Sequence, residues 1–364
     1  MIDVKTLLDI LDRARWAPSG DNCQPWIFEI FPEKDRVRIH LEQDADNVYE
    51  FCNGRPAWIG VGALIENISL ASSVYGMVCG VAEVHGFVEG QGYVDVDFFC
   101  DDACYPDDLE KFIDVRSVER RALPLRDFDC QIEEQLIKAL GSDYSIEWYC
   151  GVCRKISVVL CNLTASHIRL SIPETYKIHK RIIDWAHDFS TTGIPAKAMG
   201  MGSVGQALTK WAMASWQRLH ILMTYFGGGV LPRIELEAIP GLFCARHFLI
   251  TRTVDPDLEN PVEAIELGRA LQRFWLCATK YGLALQPAFA TIVFARYAAD
   301  NIAFTKDKRE LKRASYLLDK VEKLSGKNVR EIKFIGRLGF SNQIGKSRSR
   351  SIRRPIEELV RAAS

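Results

Sequence analysis

Two long segments constrain this chain more than anything else in it. Residues 59–77 are apolar nearly all round and carry the small residues Gly60, Gly62 and Ala63, so they read as a helix buried on every side. A second long buried helix is read over residues 263–281. Both close alike, on Tyr75-Gly76-Met77 and on Tyr281-Gly282-Leu283. Two similar units, and hence an internal duplication, follow from that pairing.

The flanking segments extend the parallel. Residues 7–16 form an amphipathic pattern, with Leu7, Leu8, Ile10 and Leu11 apolar and Asp9, Asp12 and Arg13 polar. After the turn formers of 17–22, residues 26–31 and 37–41 alternate as half-buried strands do, and 81–88 and 93–99 alternate again. This first unit ends near Pro106. The second opens at 109–121 and continues with a helical stretch at 131–140, a strand-like 144–149, the apolar run 243–251 and the second long helix. A charged helix at 306–324, a strand at 332–340 and a basic tail complete it. The expected domains are residues 1–108 and 109–364. Residues 168–241 fit neither repeat. They carry Trp211, Trp216, Ile221, Met223, Tyr225 and Phe226 ahead of Gly227-Gly228-Gly229. Such a segment reads either as a glycine-hinged lid over a pocket or as an extra packed helix pair.

Composition narrows the function classes. The net charge of −1 supplies no field that would draw in nucleic acid or an anionic membrane. No apolar run reaches the roughly 18 residues of a membrane span. Met1-Ile2-Asp3-Val4-Lys5 lacks the order of a signal peptide, so a cytoplasmic location is expected. The 11 cysteines are odd in number and scattered singly. Cys79, Cys161, Cys244 and Cys277 lie in apolar segments and read as small buried hydrophobes in a reducing compartment.

The sharpest motif is Ala17-Pro18-Ser19-Gly20-Asp21-Asn22-Cys23-Gln24-Pro25-Trp26, between a helix and a strand. It presents a hydroxyl, backbone amides and carboxamides on a short loop, a set that hydrogen-bonds a polar heterocycle without charge. Three arginines fall within Arg116-Ser117-Val118-Glu119-Arg120-Arg121 and can offer forked donors to a phosphate. Arg337-Leu338-Gly339-Phe340 precedes a basic tail containing Lys346, Arg348, Arg350, Arg353 and Arg354.

At residues 17–26 the chain resembles the nitroreductase-like flavoproteins, whose motif reads Pro-Ser, two variable residues, Asn, one variable residue, Gln-Pro-Trp. The resemblance implies an FMN held by Pro18, Ser19, Gly20, Asn22 and Gln24. Arg116 and Arg120 match basic positions of that family's phosphate and pyrimidine grip. Val118 stands where Ser or Thr is common, and an alternative register puts Ser117 there instead. The tail arginines Arg350, Arg353 and Arg354 are further candidates for the phosphate, together with Arg348. Gly282 and Leu283 follow the second long helix, where the resemblance places a backbone N–H beside the flavin N5. Gly282 equally serves as a helix cap.

The two signatures are divided between the halves. The first has the turn without an arginine head. The second has the head, but Gly141-Ser142-Asp143-Tyr144-Ser145 where its turn should be. This is similar to the tandem (Acg-type) branch of the superfamily, in which one chain imitates a dimer. The fold class implied is α+β, two nitroreductase-like units related by pseudo-twofold symmetry with an inserted helical lid. The function implied is an FMN-dependent oxidoreductase passing hydride or electrons between a small-molecule donor and acceptor. It needs neither nucleic acid nor membrane and exists as a monomer or weak homo-oligomer. A non-catalytic FMN store or regulatory flavin-binding protein is the alternative, since a lid would exclude substrates.

Competing motifs are weaker. Gly200-Met201-Gly202-Ser203-Val204-Gly205 matches a dinucleotide fingerprint but lacks the preceding strand and the later acid, so it reads as helix punctuation. Cys150-Gly151-Val152-Cys153 has redox spacing with nothing else to support it. The seven histidines show no metal-ligand spacing.

Overall fold

The computed structural model describes residues 2–225, 230–255, 258–345 and 349–361. The first unit runs α1 (Val4–Ala14), β1 (Trp26–Phe31), β2 (Arg36–Glu42), α2 (Phe51–Ser73), β3 (Met77–Val88) and β4 (Gln91–Cys100). The Asp3 side chain caps α1, and only one face of this helix is buried, through Leu7, Ile10, Leu11 and Ala14. The strands form an antiparallel sheet in the order β1-β2-β4-β3. β1 and β2 alternate buried and partly exposed residues, so one face of this part of the sheet covers α1 and α2.

The second unit repeats that succession with two long excursions. It begins with α3 (Cys130–Leu140) and β5 (Tyr144–Tyr149). The first excursion holds α4 (Val152–Ser171), α5 (Pro173–Ile182) and three two-residue strands, β6 (Ile183–Asp184), β7 (Phe189–Ser190) and β8 (Ile194–Pro195). It continues with α6 (Ser203–Met213), α7 (Trp216–Tyr225), α8 (Val230–Arg233), a π-helical turn at Ile234–Ala238 and α9 (Ile239–Leu242). The chain returns in β9 (Arg246–Arg252), α10 (Pro261–Lys280) and β10 (Leu283–Pro287). A second excursion, α11 (Phe289–Ala299) and α12 (Lys308–Ser325), packs on α4 before β11 (Ile332–Phe340) closes the sheet. The order is β5-β9-β11-β10, antiparallel throughout. Both units thus thread helix, two strands, long helix and two strands into one strand order.

The segment that departs from the repeat is longer than the sequence indicated. β1 and β2 are joined by a turn at Pro32–Asp35, whereas β5 and β9 are separated by everything from residue 150 to 245, α4 included. The Gly227-Gly228-Gly229 hinge and Phe226 lie outside the described residues, as do Lys346 and Arg348. Gly202 caps α6 and Gly200 ends a 3-10 turn, so this glycine run does punctuate helices.

The two long helices cross at the centre and meet backbone to backbone at Gly62 and Gly268. A buried ion pair, Arg55 with Glu263, and a 2.8 Å hydrogen bond from Gln272 to Asn67 tie them along their length. Gly76 and Gly282, each with positive φ, end the two helices in the conformation glycine tolerates best. After β11 the chain crosses back. β12 (Arg350–Ser351) pairs with β7, and β13 (Val360–Arg361) adds in parallel to the edge of the first sheet beside β1. Among the described residues no single helix is long and apolar enough to cross a membrane.

Candidate functional site

The turn after α1 is under backbone strain. Asp21, Asn22 and Gln24 all have positive φ, at 50°, 59° and 47°. For non-glycine residues this conformation costs on the order of 1 kcal/mol each and persists only where the surroundings enforce it. Here the surroundings are local and distant together. Ser19 Oγ accepts from the Gln24 N–H at 3.0 Å. The Gln24 carboxamide donates to Thr191 O at 2.8 Å and accepts from the Arg354 N–H at 2.9 Å. Asn22 donates to Ile352 O at 3.0 Å and Thr191 O at 3.2 Å. Asn22 and Gln24 therefore bind the turn to the first excursion and to the C-terminal tail, while Pro18, Ser19 and Gly20 form cavity wall.

That cavity holds about 380 Å³. On one side it is bounded by Ile59, Gly60 and Ala63 of α2, by Gly268, Leu271, Gln272 and Trp275 of α10, and by Leu285, Gln286 and Pro287 of β10. The first excursion supplies much of the rest, including Met199, Met201, Met213 and Met223, four of the chain's six methionines. Methionine fills irregular space with a flexible, polarizable side chain, so this wall adapts to the shape of an apolar ligand. The carboxamide oxygens of Gln272 and Gln286 are buried with no hydrogen-bond partner among the described residues. They stand as unsatisfied acceptors on the chamber wall.

A smaller basic annex shares Pro18, Ser19, Asp21, Val118, Arg120 and Ile194 with the chamber. It gathers Arg116, Ser117, Arg350 and Arg353. The Arg116 guanidinium lies 4.5 Å from the centre of the Trp275 ring, and its Nε has no partner among the described residues. Arg353 donates from Nε to Ala17 O at 3.0 Å, and Arg350 to Asp114 O at 2.8 Å. None of the three forms a salt bridge among the described residues. Burial, then Arg353 and Arg350, hold Arg116 well below the usual arginine range. Burial and the neighbouring Arg350 bring Arg353 down to about 9. Three cations that destabilise one another in this recess leave it strongly positive.

Charges in the chamber are balanced instead. Arg169 pairs with Glu237 at 3.1 Å. Burial lowers Arg120 to about 10 against the opposing attraction of Asp21, and burial raises Asp21 against the attraction of Arg120 and Arg169. Tyr49 and His179 share a 3.1 Å hydrogen bond, and burial drives His179 down to about 3, so it is neutral. Burial pushes the Glu50 carboxyl up to about 8.

The structure brings Pro18, Ser19, Gly20, Asn22, Arg116, Ser117, Arg120, Arg350 and Arg353 around this joint space. Ser117 lies in the annex, and Val118 forms a parallel bridge to Leu285 on the chamber wall. Four candidates lie elsewhere. Gln24 is spent on the bonds above. Arg354 turns outward to Glu358, 3.1 Å away. Gly282 caps α10 and Leu283 is core, while the strand reaches the annex at Ala284 and the chamber at Leu285. Arg337 is a scaffold, donating to the carbonyls of Glu119, Arg120 and Arg121. Glu50, Tyr49, His179, Gln272 and Trp275 carry no local sequence signal and become site residues only through the fold. Cys150 and Cys153 are both free, at the junction of β5 and α4, away from the site.

No family model and no curated protein matches this chain. Among solved structures it is similar to the FMN-dependent nitroreductase NfnB from Mycobacterium smegmatis in complex with NADPH. The identity is 14%, with 70% of this chain and 97% of that chain covered at a TM-score of 0.37. A likeness that distant is no basis for transferring chemistry.

Proposed function

We propose that the chain binds one FMN and is an oxidoreductase of nitroreductase type. The observation that carries this reading is the joining, at the 17–24 turn, of an annex whose Arg116, Arg350 and Arg353 form no salt bridge among the described residues to a largely apolar chamber whose charges offset one another. The annex suits a phosphate dianion, held by Arg116, Arg350 and Arg353 with Ser117 beside them. The chamber suits a flat heterocycle, with Ser19, Gln272 and Gln286 as polar contacts and Trp275 and Leu285 as apolar ones. A bound flavin supplies two-electron chemistry, and the chain supplies orientation, hydrogen bonds and exclusion of water. The repeated succession of elements and the reciprocal Gly62–Gly268 contact support an internal pseudo-dimer. The methionine-bearing excursion, as part of the chamber wall, supports a lid.

The same wall favours a second reading, FMN storage without turnover. Visible absorption separates the two, recorded before and after anaerobic NADH and NADPH. One FMN per chain that bleaches supports the enzyme. A flavin that resists both donors favours storage. A colourless protein that takes up no FMN overturns both.

A further inference from the structure

We propose that Glu50 is the proton donor of the chamber, protonating an uncharged, largely apolar acceptor as that acceptor is reduced. This rests on the flavin reading above and adds to it a residue.

Geometry sets Glu50 apart. It sits where the loop after β2 enters α2, and its N–H donates to Asn47 O at 2.8 Å. The helix entry is distorted, with Cys52, Asn53 and Gly54 all at positive φ. The Glu50 side chain therefore stands off the helix axis and lines the cavity. Oε2 accepts from the Ala57 N–H at 3.2 Å. Oε1 lies 3.9 Å from where a methyl group on Gly20 would sit, next to the strained turn. No cation pairs with it among the described residues. The cavity's arginines are otherwise engaged, Arg169 by Glu237 and Arg120 by the field of Asp21. The titratable groups that face Glu50 are Asp21 and Cys23 from the turn, Asp44 from the loop and Tyr297 from α11. All four are acids, and none stabilises a carboxylate. With burial added, the proton stays on Glu50 to about pH 8.

The acceptor's class follows from the contrast between the two recesses. The annex gathers Arg116, Arg350 and Arg353, which form no salt bridge among the described residues, whereas the chamber has matched charges, a neutral histidine, a neutral Glu50 and a methionine wall. An anionic acceptor gains no counter-ion there and loses its hydration. An uncharged apolar molecule with a reducible double bond to oxygen or nitrogen loses little.

The step balances as a two-electron reduction. One atom of the acceptor's double bond gains hydride, with its electron pair, from the reduced flavin. The electron pair displaced from that bond takes the Glu50 proton, at the adjacent atom of an isolated double bond or, relayed through the ring, at the far oxygen of a quinone. The carboxylate left behind is reprotonated from water, and a reduced nicotinamide returns the two electrons to the flavin. A group of this kind, with its acidity matched to the working pH, contributes roughly 100-fold or more to such a step.

The test uses FMN-loaded protein, reduced without oxygen and mixed with benzoquinone. Wild-type reoxidation is expected to slow as pH rises through about 8. Glu50→Gln is expected to react about 100-fold more slowly with no break there, while FMN affinity and quinone saturation hold. Glu50→Asp should restore part of the rate and a shifted break. An infrared titration of flavin-free protein gives a readout apart from turnover: a protonated carboxyl band lost near pH 8 in wild type and absent from Glu50→Gln. If Glu50→Gln keeps the wild-type rate and break, or keeps the band, the proposal falls and the flavin reading stands. If that variant does not fold, a wild-type profile without a break near pH 8 overturns the proposal by itself. Failure of both proteins to take up FMN overturns the flavin reading and the proposal with it.

Discussion

Gly62 and Gly268 hold the two central helices together reciprocally. A methyl group on Gly62 would lie 2.1 Å from Ile265 O, and one on Gly268 would lie 2.1 Å from Ile59 O. Each glycine thus meets the carbonyl three residues before the other, as the two sides of an isologous interface do. The obstacle in each case is backbone, which cannot swing aside. Gly62→Ala and Gly268→Ala are each expected to cost about 1–3 kcal/mol, read as a lower urea midpoint with unchanged slope. The double variant should cost less than the sum, because the first methyl already separates the helices. Gly268 also lines the chamber, so its variant should weaken FMN uptake.

On the proposed reading, the annex arginines are expected to oppose stability and favour binding. Arg116→Met keeps the stem against Trp275 and removes a buried charge repelled by Arg350 and Arg353. The flavin-free variant is expected to be more stable by on the order of 1 kcal/mol. Its FMN dissociation constant should rise about 30-fold or more, since a phosphate loses a charge-assisted partner. Calorimetric titration and urea unfolding of the same preparations check both signs. A loss of stability together with unchanged FMN affinity would make Arg116 a structural residue.

What the sequence disclosed and what it hid have physical causes. The Tyr-Gly helix ends were legible because a left-handed C-terminal cap selects glycine. The 17–24 turn was legible because its strained geometry needs several special residues in a row. The start of α2 was not. Pro56 and the distorted stretch Cys52–Gly54 mask the helical pattern before residue 59, and with it the placing of Glu50. α11 is buried almost all round and shows no amphipathic stripe. β13 is two residues long and pairs with β1 from the far end of the chain, so no local pattern marks it. The tail arginines could not be sorted because only the path of β12 decides that Arg350 and Arg353 turn in while Arg354 turns out.

Protonation of the buried groups gives stability two opposed slopes with pH. Burial depresses His179 from 6.5 to about 3, so the unfolded chain takes up a proton first as pH falls below 6.5. His179 therefore costs stability progressively from pH 6.5 down towards 3, and His247, lowered to about 4, adds to it. Glu50 acts the other way. Raised from 4.5 to about 8, it is neutral in both states below pH 4.5, and its stabilisation is lost as pH rises to 8. Urea midpoints at pH 4, 6 and 9 are expected to peak near the middle value. His179→Gln should flatten the acid limb, and Glu50→Gln the alkaline one.

On the proposed reading, one flavin per chain is expected rather than two, and what occupies the equivalent place on the far side of the helix pair is one reason. In the register set by Gly62 and Gly268, chamber residues Ala63 and Gln272 have Arg269 and Glu66 as their counterparts. These two are joined in a salt bridge at 3.2 Å. Arg273 adds to the network, 2.7 Å from Glu66 and 2.9 Å from Asp107. Where one side offers a small residue and an uncharged amide around open space, the other fills that space with linked ions. A heterocycle entering there would have to separate a buried carboxylate from two guanidiniums, at a cost of several kcal/mol that stacking does not recover. Titration of the flavin-free protein, followed by quenching of Trp275 and the other tryptophans, is therefore expected to saturate at one equivalent. Glu66→Gln with Arg269→Ala recreates the chamber pair on the second side without its arginine annex. That variant should still take up one FMN if the phosphate grip proposed at Arg116, Arg350 and Arg353 is what a flavin requires. A second equivalent would mean that the ion network, not the missing arginines, had closed the second site.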